Sequence, residues 1–373
     1  MAKKKFSLGL TIFACLLALI IGFVAAFFIY TYASRETGGD VYVSGDLSIH
    51  FMELGNKATG DSIYIKAGNT DILIDAGSVA SSTDTTSEYI KQYCTDNILE
   101  YVIVTHADSD HIAGFAGSSS SPSMFDRFTC ETIITFDLTN QEMETSSGNP
   151  TTYARYVNQL QEAVEAGATH YTALQCWNEK DGAQRIWEVS NGIEMEILYN
   201  YYYENESGDE NNYSVCLLFN QGDKHFLFTG DLEEDGESRL VDNNKLPKVE
   251  LFKAGHHGSK TSSTEKLLNV IDPNIICVCC CAGYNQYNAA PENVFPTQAM
   301  IDRVAPYTDK VYVTSQVDES SESGYRSMNG NIVVTSGRDG VTVECSENNN
   351  TLLKDTAWFK ANRTMPDAWA TAA

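Results

Sequence analysis

Residues 101–115 read YVIVTHADSDHIAGF, and this stretch carries the strongest structural and chemical signal in the chain. It opens with β-branched and aromatic residues at 101–105, a pattern typical of a buried strand. Directly after that strand come His106, Asp108, Asp110 and His111. Such a mixture of nitrogen and hard oxygen ligands suits zinc, manganese or iron, whereas magnesium or calcium would favour oxygen alone. One histidine here could merely form a hydrogen bond, but the four residues together predict a metal-binding loop.

Two further segments also place candidate metal ligands after a short strand. LFTGDLE at 227–233 places Asp231 after a short strand, and LFKAGHHGSKTSS at 251–263 contains His256 and His257. Together with the HxDxDH pattern, they resemble the metallo-β-lactamase superfamily. The combination of HxDxDH, TGDLE and HHGS is similar to one branch of it, the ComEC-type extracytoplasmic hydrolases. The segment 49–78 resembles the first hairpin of that branch, so the resemblance covers about residues 47–345.

The resemblance implies an α/β fold, the four-layer αββα sandwich of metallo-β-lactamase type. Pattern alone supports only a mixed α/β domain. Among the individual elements, we predict helices over 87–97 and 151–166, with a Ser/Thr-rich loop at 81–86 before the first of them. The hydrolase domain is expected to cover 47–350, followed by a C-terminal tail at 351–373.

The resemblance also implies a cofactor of one or two divalent metal ions, zinc or manganese. The implied metal ligands are His106, Asp108, Asp110, His111, Asp231 and His257. Asp231 would bridge two ions, the first bound by His106 and Asp108 and the second by the remaining ligands. His256 would reach the substrate or support the ligands, although the roles of His256 and His257 could be reversed.

The chain departs from the superfamily pattern at two places. Asp108 stands where most members have a histidine, and the segment NNYS at 211–214 lies where another histidine is usual. A carboxylate in place of an imidazole moves the metal preference toward harder ions. The choice between zinc and manganese therefore stays open.

The candidate catalytic residues are Asp110 and His256. Four candidates for substrate binding are Asn212, Ser214, Ser259 and Lys260. Lys260 could pair with a phosphate oxygen as a point charge, although each of the four could also be an ordinary turn residue. The tyrosine-rich segment 199–212 is either a substrate rim or a solvated connection.

The N-terminal region predicts a membrane anchor. Residues 6–32 carry no charge, and a helix needs about 20 apolar residues to cross a bilayer, whereas the apolar part of a signal peptide is usually about 7–15 residues. Lysines lie at 3–5 and acidic residues follow from Glu36 onward. The positive-inside bias then predicts a cytoplasmic basic N-terminus at 1–5, a transmembrane helix or uncleaved signal anchor at 6–32, a linker at 33–46 and an extracellular hydrolase domain. A cleaved signal sequence is the alternative.

The chain is strongly acidic, with 25 lysines and arginines against 50 aspartates and glutamates and a formal net charge of −25. Such a charge repels polyanions, which argues against a general nucleic-acid-binding protein. It does not exclude a metal-dependent nuclease, because bound cations reverse the local sign of the charge.

The chain contains ten cysteines, four of them in the apolar run IICVCCC at 275–281. Neighbouring residues of one strand cannot close a tetrahedral metal site by themselves. We therefore expect these cysteines to pack as small buried hydrophobic residues, and the sequence assigns no disulfide.

These observations favour an extracellular, membrane-anchored, metal-dependent hydrolase. The resemblance implies a phosphodiesterase or nuclease-like enzyme that attacks with a metal-bound hydroxide, since a bound cation lowers the pKa of water to about 7. Its expected substrate is a hydrolysable phosphoester outside the cell, and nucleic acid is one candidate. Its other expected partner is the membrane, through one helix. Two alternatives are a hydrolase of a lactone, amide or cell-wall ester, and a non-catalytic metal-containing binding domain.

Overall fold

The computed structural model describes residues 47–286 and 290–370, which build two eight-stranded mixed sheets with helices packed around them. The predicted basic N-terminus, the predicted span at 6–32 and the linker at 33–46 lie outside the described residues. Within the described ranges, none of the helices combines the length and the apolar character that crossing a membrane requires.

The first sheet has both antiparallel and parallel neighbours. Its strands are β1 (Leu47–Phe51), β2 (Ile63–Ala67), β3 (Thr70–Ile74), β4 (Ile98–Val104), β5 (Thr129–Thr135), β6 (Thr169–Thr172), β15 (Ile332–Gly337) and β16 (Gly340–Cys345). Their spatial order is β16-β15-β1-β2-β3-β4-β5-β6. The run from β3 to β6 is parallel, so the loop after β4 and the loop after β3 leave the sheet at the same edge.

The second sheet follows the chain order without interruption. Its strands are β7 (Ile186–Ser190), β8 (Ile193–Ile197), β9 (Leu217–Gln221), β10 (Lys224–Phe228), β11 (Leu251–Lys253), β12 (Ile275–Ala282), β13 (Val311–Val317) and β14 (Tyr325–Ser327). Strands β10 to β13 are parallel. The loops after β10 and β11 therefore also leave their sheet at a common edge.

Helices occupy the connections between strands. They are α1 (Ser82–Ile90), α2 (Ser109–Ala116), α3 (Met124–Arg127), α4 (Thr152–Glu165), α5 (Ala173–Trp177), α6 (Glu234–Asn243), α7 (Glu265–Ile271), α8 (Gln298–Val304), α9 (Ala357–Asn362) and α10 (Asp367–Ala370). Short 3-10 helices lie at Tyr201–Tyr203, Glu210–Tyr213, Gly255–Gly258, Pro291–Asn293, Asn348–Asn350 and Leu353–Asp355.

The two sheets pack face to face over a shared hydrophobic core. Phe51 of the first sheet stacks on Phe228 of the second, with ring centroids 6.3 Å apart. Along β12 the side chains alternate, as a strand requires: Cys277 and Cys279 enter this core, whereas Val278 and Cys280 enter a second core formed with α6, α7 and α8. Helices therefore cover the second sheet on the face turned away from the first. The result is an α/β sandwich of two mixed sheets, as predicted.

The cysteines are buried small residues, as expected for the run at 275–281. Cys277, Cys279, Cys280 and Cys281 are all buried, and each of the nine cysteines in the described part of the chain is a free thiol. Burial raises the pKa of the Cys277, Cys279 and Cys280 thiols above the usual range. They are therefore held in the neutral thiol form, which packs like a small apolar group.

The C-terminal residues pack against the second core. Trp358 and Phe359 of α9 and Trp369 of α10 are buried there, together with Leu353. The predicted tail at 351–373 is thus structured in its described portion, up to residue 370.

Candidate metal centre

Four of the predicted ligands meet where strands of the two sheets end. Asp110 and His111 lie in the first turn of α2, which follows β4. Asp231 follows β10, and His257 follows β11. One ligand atom from each of these four side chains lies within 4.8 Å of the others. The shortest distances converge on Asp231 Oδ2, which is 2.9 Å from His257 Nε2 and 3.1 Å from His111 Nε2.

His106 and Asp108 lie beside this group of four. The ring centroids of His106 and His111 are 4.1 Å apart, and His106 Nε2 is 3.8 Å from Asp108 Oδ2. The other oxygen of Asp108 accepts a hydrogen bond from Gln141 Nε2 at 2.9 Å. The structure therefore brings all six predicted ligands together, four of them in a tight group and two at its side.

The outer ring nitrogen of each ligand histidine is held by the protein. His111 Nδ1 donates to Asp75 Oδ2 at 2.7 Å, and His257 Nδ1 donates to the carbonyl of Cys279 at 2.8 Å. His106 Nδ1 lies 3.0 Å from Thr105 Oγ1. Partners of this kind fix the orientation of a metal-ligating imidazole and its tautomer. They leave each Nε2 as the nitrogen that faces the site.

The Nε2 atoms of His106, His111 and His257 are buried and have no hydrogen-bond partner. Buried polar atoms in proteins are nearly always satisfied, so three such atoms directed to one place need an explanation. Lone pairs of nitrogen and oxygen that converge in this way are the donor set of a divalent cation, so the residues present fit a metal site.

The charges of the site favour a cation as well. Burial would lower the pKa of His111 and His257, but the Asp231 carboxylate and other carboxylates nearby outweigh burial and raise both pKa values above the usual range. Burial would likewise raise the pKa of Asp231, but the charges on His257 and Lys253 hold it well below its usual range. Asp231 is therefore ionised, and the field around it stabilises positive charge.

The pKa values of His106 and Asp108, the two residues beside the group of four, are shifted in opposite directions. Burial, together with the neighbouring His111, lowers the pKa of His106 well below the usual range. His106 is therefore neutral, which is the form that binds a metal. Burial and the charge on Asp110 raise the pKa of Asp108 to about 7. A proton thus competes with a cation for Asp108 at neutral pH.

The HHG turn that carries His257 has an unusual backbone. His256 has φ 44° and ψ 52°, His257 has φ 54° and ψ 24°, and Gly258 has φ 81°. Left-handed conformations at residues other than glycine cost about 1–3 kcal/mol each and persist where the surroundings impose them, often at functional sites. A side chain at position 258 is excluded, since a Cβ there would lie 2.9 Å from Pro296 Cβ. In this turn the side chains of the consecutive residues His256 and His257 point in different directions.

A cleft of about 490 Å³ opens beside these ligands, and Asp110, His256, Ser259 and Lys260 are among the residues that line it. A larger surface groove, of about 1100 Å³, runs past Arg127 and contains none of the predicted ligands. Because chemistry needs the ligands and the opening together, we place the candidate site at the smaller cleft.

Inside this cleft His256 has a carboxylate partner. Its Nδ1 lies 3.0 Å from Glu233 Oε1, which also accepts a hydrogen bond from Thr261 Oγ1 at 2.7 Å. Burial would raise the pKa of Glu233, but its hydrogen bonds with His256 and Thr261 lower it. Glu233 is therefore an ionised partner that orients the His256 ring.

The four predicted substrate contacts divide into two pairs. Ser259 and Lys260 line the cleft. Asn212 and Ser214 are buried and contact the protein instead: Ser214 Oγ accepts from the Asp231 backbone N–H at 3.0 Å, and Asn212 Oδ1 accepts from that of Glu233 at 3.4 Å. These two residues support the loop after β10. Direct contact of either one with substrate stays a prediction.

Sequence reasoning missed four residues of the site, which are Asp61, Asp75, Glu233 and Lys253. Asp75 has a left-handed φ of 57° after the end of β3, and its carboxylate holds His111. Lys253 is the one charged residue of the strand LFK at 251–253 and is 1% exposed. A lone lysine at the end of a buried apolar strand was the signal that could have identified it, since buried lysines are rarely left unpaired.

Comparison with known proteins shows which proteins this chain resembles. Residues 56–120 match the metallo-beta-lactamase superfamily. The competence protein ComA of Neisseria gonorrhoeae is 27% identical over 259 residues, which cover 68% of this chain and 29% of that protein. The ComE operon protein 3 of Bacillus subtilis (strain 168) is 33% identical over 93 residues, which cover 24% of this chain and 12% of that protein. The chain thus spans less than a third of the length of these relatives.

Among solved structures, the metallo-beta-lactamase fold protein YhfI of Bacillus subtilis aligns with 72% of this chain and 96% of its own, with a TM-score of 0.41 and 10% identity. The resemblance to the metallo-beta-lactamase superfamily rests on the sequence matches and on the three motifs, not on this structural alignment. HxDxDH, TGDLE and HHGS supply the buried histidine and aspartate cluster, which suits divalent metal ions. The resemblance is confirmed: residues 56–120 match the metallo-beta-lactamase superfamily, and competence proteins are among the sequence relatives of the chain.

Proposed function

We propose that this protein is a metal-dependent phosphodiesterase of the metallo-beta-lactamase superfamily, acting outside the cell from a membrane anchor. The observation that carries the proposal is the convergence of Asp110, His111, Asp231 and His257, with the Nε2 atoms of both histidines buried and unsatisfied. A cleft with a histidine and a lysine opens next to this group. Ligands, access and substrate-binding groups therefore coincide.

The protein would hold metal at two positions. The first position would have His106 and Asp108, and the second would have Asp110, His111 and His257. Asp231 would contribute to both positions. A divalent ion, when bound, lowers the pKa of a coordinated water to about 7 and neutralises charge that develops on a phosphate. Asp108 in place of a histidine favours manganese over zinc at the first position.

The charge of the site supports two ions rather than one. The carboxylates in or next to it belong to Asp61, Asp75, Asp108, Asp110 and Asp231, and the ammonium group belongs to Lys253. With these groups ionised and the histidines in the neutral form that binds metal, an excess of four negative charges remains. Uncompensated buried charge is strongly unfavourable, and two divalent cations would balance it.

The chain's own groups would assist at the cleft. Asp110 lies at the boundary between the ligands and the cleft, with Oδ2 3.4 Å from His257 Nε2, where its carboxylate could accept a proton from the attacking water. His256, oriented by Glu233, would protonate the leaving group. Lys260 and Ser259 would bind the non-bridging phosphate oxygens.

Replacing Glu233 by glutamine tests the role of His256. General acid catalysis contributes about 10²- to 10⁴-fold, so we expect Glu233→Gln to lower kcat by roughly tenfold or more for an alkyl phosphodiester. The loss should be much smaller for a nitrophenyl ester, because nitrophenolate leaves without a proton. Glu234→Gln, one position along and exposed, is the matched control. Equal losses for both leaving groups would mean that Glu233 acts only on the structure.

The cleft suits one phosphate group better than a long polyanion. Among the described residues that line it, Lys260 is the only lysine or arginine, against three carboxylates. This same observation favours the second candidate function, hydrolysis of a neutral lactone or cell-wall ester. Rates on a small phosphodiester, on single-stranded DNA and on neutral esters and lactones separate the two. A preference for the neutral substrates would overturn the phosphodiesterase proposal.

The location of the protein is proposed from the sequence. The uncharged segment 6–32, preceded by lysines and followed by acidic residues, supports a single-pass anchor with the hydrolase domain outside. Protease added to intact cells should degrade the hydrolase domain while leaving a cytoplasmic marker untouched. Protection of the domain in intact cells would contradict this orientation.

A further inference from the structure

Lys253 places a positive charge inside the candidate metal centre. It is the last residue of β11, and its side chain is 1% exposed. Its Nζ lies 2.5 Å from Asp61 Oδ2 and 2.9 Å from Asp231 Oδ1, and it donates to the Gly230 carbonyl at 3.0 Å. An ammonium group has three N–H donors, so all three are engaged. Lys253 is therefore fixed in place and has no donor left for a substrate.

Lys253 also divides the two oxygens of Asp231 between different partners. Oδ1 accepts from the lysine, whereas Oδ2 faces the Nε2 atoms of His111 and His257. The backbone N–H of Asp231 is held by Ser214 Oγ at 3.0 Å, which restricts rotation of the residue. The carboxylate thus offers one free oxygen to the site, and that oxygen points toward the second metal position.

We propose that Lys253 is a positioning residue that makes the two metal positions unequal. The inference rests on the metal-binding function proposed above. The second position has Asp110, His111, His257 and Oδ2 of Asp231. The first position has His106 and Asp108 and can only share that same oxygen, because Lys253 occupies the other one.

Two physical effects follow from this arrangement. An ion with fewer ligands is bound less tightly, so the second position fills first and the first position fills at higher metal concentration. In addition, an outer partner that is hydrogen-bonded to a ligand usually strengthens metal binding, but an ammonium group carries the same sign of charge as the metal and repels it at close range. Lys253 therefore holds Asp231 in position and at the same time withholds one of its oxygens.

The test is a calorimetric titration of Mn²⁺ into the metal-stripped full-length protein, comparing wild type with Lys253→Met. The wild type should bind two ions in separated steps. In Lys253→Met the freed Oδ1 becomes available to the first position, so the ratio of the two dissociation constants should shrink by about tenfold or more, the usual size of effects at the partners of metal ligands. If the wild type binds one ion, the variant should bind two.

Two further variants make the result decisive. Lys260→Met removes a nearby positive charge without touching Asp231, and it should leave the ratio unchanged. Lys253→Met leaves two buried carboxylates without their cation, which is strongly destabilising. If it does not fold, the double variant Asp61→Asn, Lys253→Met removes one of those charges and should show the same reduced ratio.

The inference is overturned if the ratio is unchanged or larger in both Lys253 variants, if Lys260→Met reduces it equally, or if every protein binds a single ion. These outcomes are independent of turnover. A chain that binds two ions with the expected ratios but hydrolyses no phosphodiester would contradict the proposed function and leave the role of Lys253 standing. Absence of metal binding in all proteins would overturn both.

Discussion

Replacing Asp231 by asparagine is expected to lower kcat by about 10³-fold or more, since Asp231 would serve both proposed metal positions and metal-based charge stabilisation supplies several kcal/mol. The amide oxygen keeps the shape of the side chain but loses its charge. It thereby weakens the pairing of Oδ2 with the site and that of Oδ1 with Lys253, 2.9 Å away. Phosphodiester hydrolysis at saturating substrate measures the loss.

The fold should survive this change. The asparagine still accepts a hydrogen bond from Lys253, so we expect a destabilisation of about 1–3 kcal/mol, measured by urea unfolding. Asp235→Asn is the matched control, because Asp235 is exposed and its partners, Arg239 and Tyr202 Oη, are not among the predicted metal ligands. Full activity in Asp231→Asn would contradict the assignment of this residue to both metal positions.

Replacing Gly114 by alanine is expected to impair both stability and metal binding. A Cβ at this position would lie 2.0 Å from the carbonyl oxygen of Ala76 and 2.8 Å from its Cβ. Both neighbours are held by the backbone, so α2 must move away from the segment after β3. Overpacking of this kind costs about 1–3 kcal/mol and occasionally more.

The displacement acts on the metal site because of what the two segments carry. Helix α2 carries His111, and the segment at Ala76 carries Asp75, which holds His111 Nδ1 at 2.7 Å. Loss of such a partner typically costs about 10- to 100-fold in metal affinity. Urea unfolding and metal titration of Gly114→Ala measure both effects. Gly208→Ala, where the added Cβ meets nothing within 4 Å, should behave as wild type in both measurements.

The meeting of the six predicted metal ligands could be predicted from the sequence because they lie in three short segments that follow strands. Each segment has its own local pattern, and parallel strands bring such ends to one edge of a sheet. The partners of these ligands could not be found in the same way. Asp75 is 36 positions from His111, and Lys253 is 22 positions from Asp231. Their contacts depend on which strands are neighbours, which local patterns do not state.

The helix predicted over 87–97 was misplaced, since α1 covers Ser82–Ile90. Serine and threonine are weak helix formers, and they made 81–86 look like a loop. In the fold Ser82, Thr83 and Thr86 are buried. Thr83 Oγ1 donates to the Ala80 carbonyl, and Thr86 Oγ1 donates to that of Ser82. Tertiary burial thus outweighs the local preference.

The tyrosine-rich segment shows the same limit. The two alternatives for it, a substrate rim and a solvated connection, both describe an exposed segment. Tyr202 and Tyr203 are buried, and Tyr203 Oη accepts a hydrogen bond from the Cys216 backbone N–H at 3.0 Å. Asn211 reaches the cleft. The segment is therefore partly buried, with Tyr203 held beside the start of β9, and one end of it meets the site.

The most direct measurement is hydrolysis of a nitrophenyl phosphodiester by the full-length protein in detergent, after removal of metal with a chelator and again after addition of Zn²⁺ or Mn²⁺. A metal-dependent phosphodiesterase should be silent when stripped, and one of the two ions should restore its activity. Undiminished hydrolysis by the stripped protein would contradict this account. So would failure to hydrolyse any phosphodiester with metal demonstrably bound at Asp110, His111, Asp231 and His257.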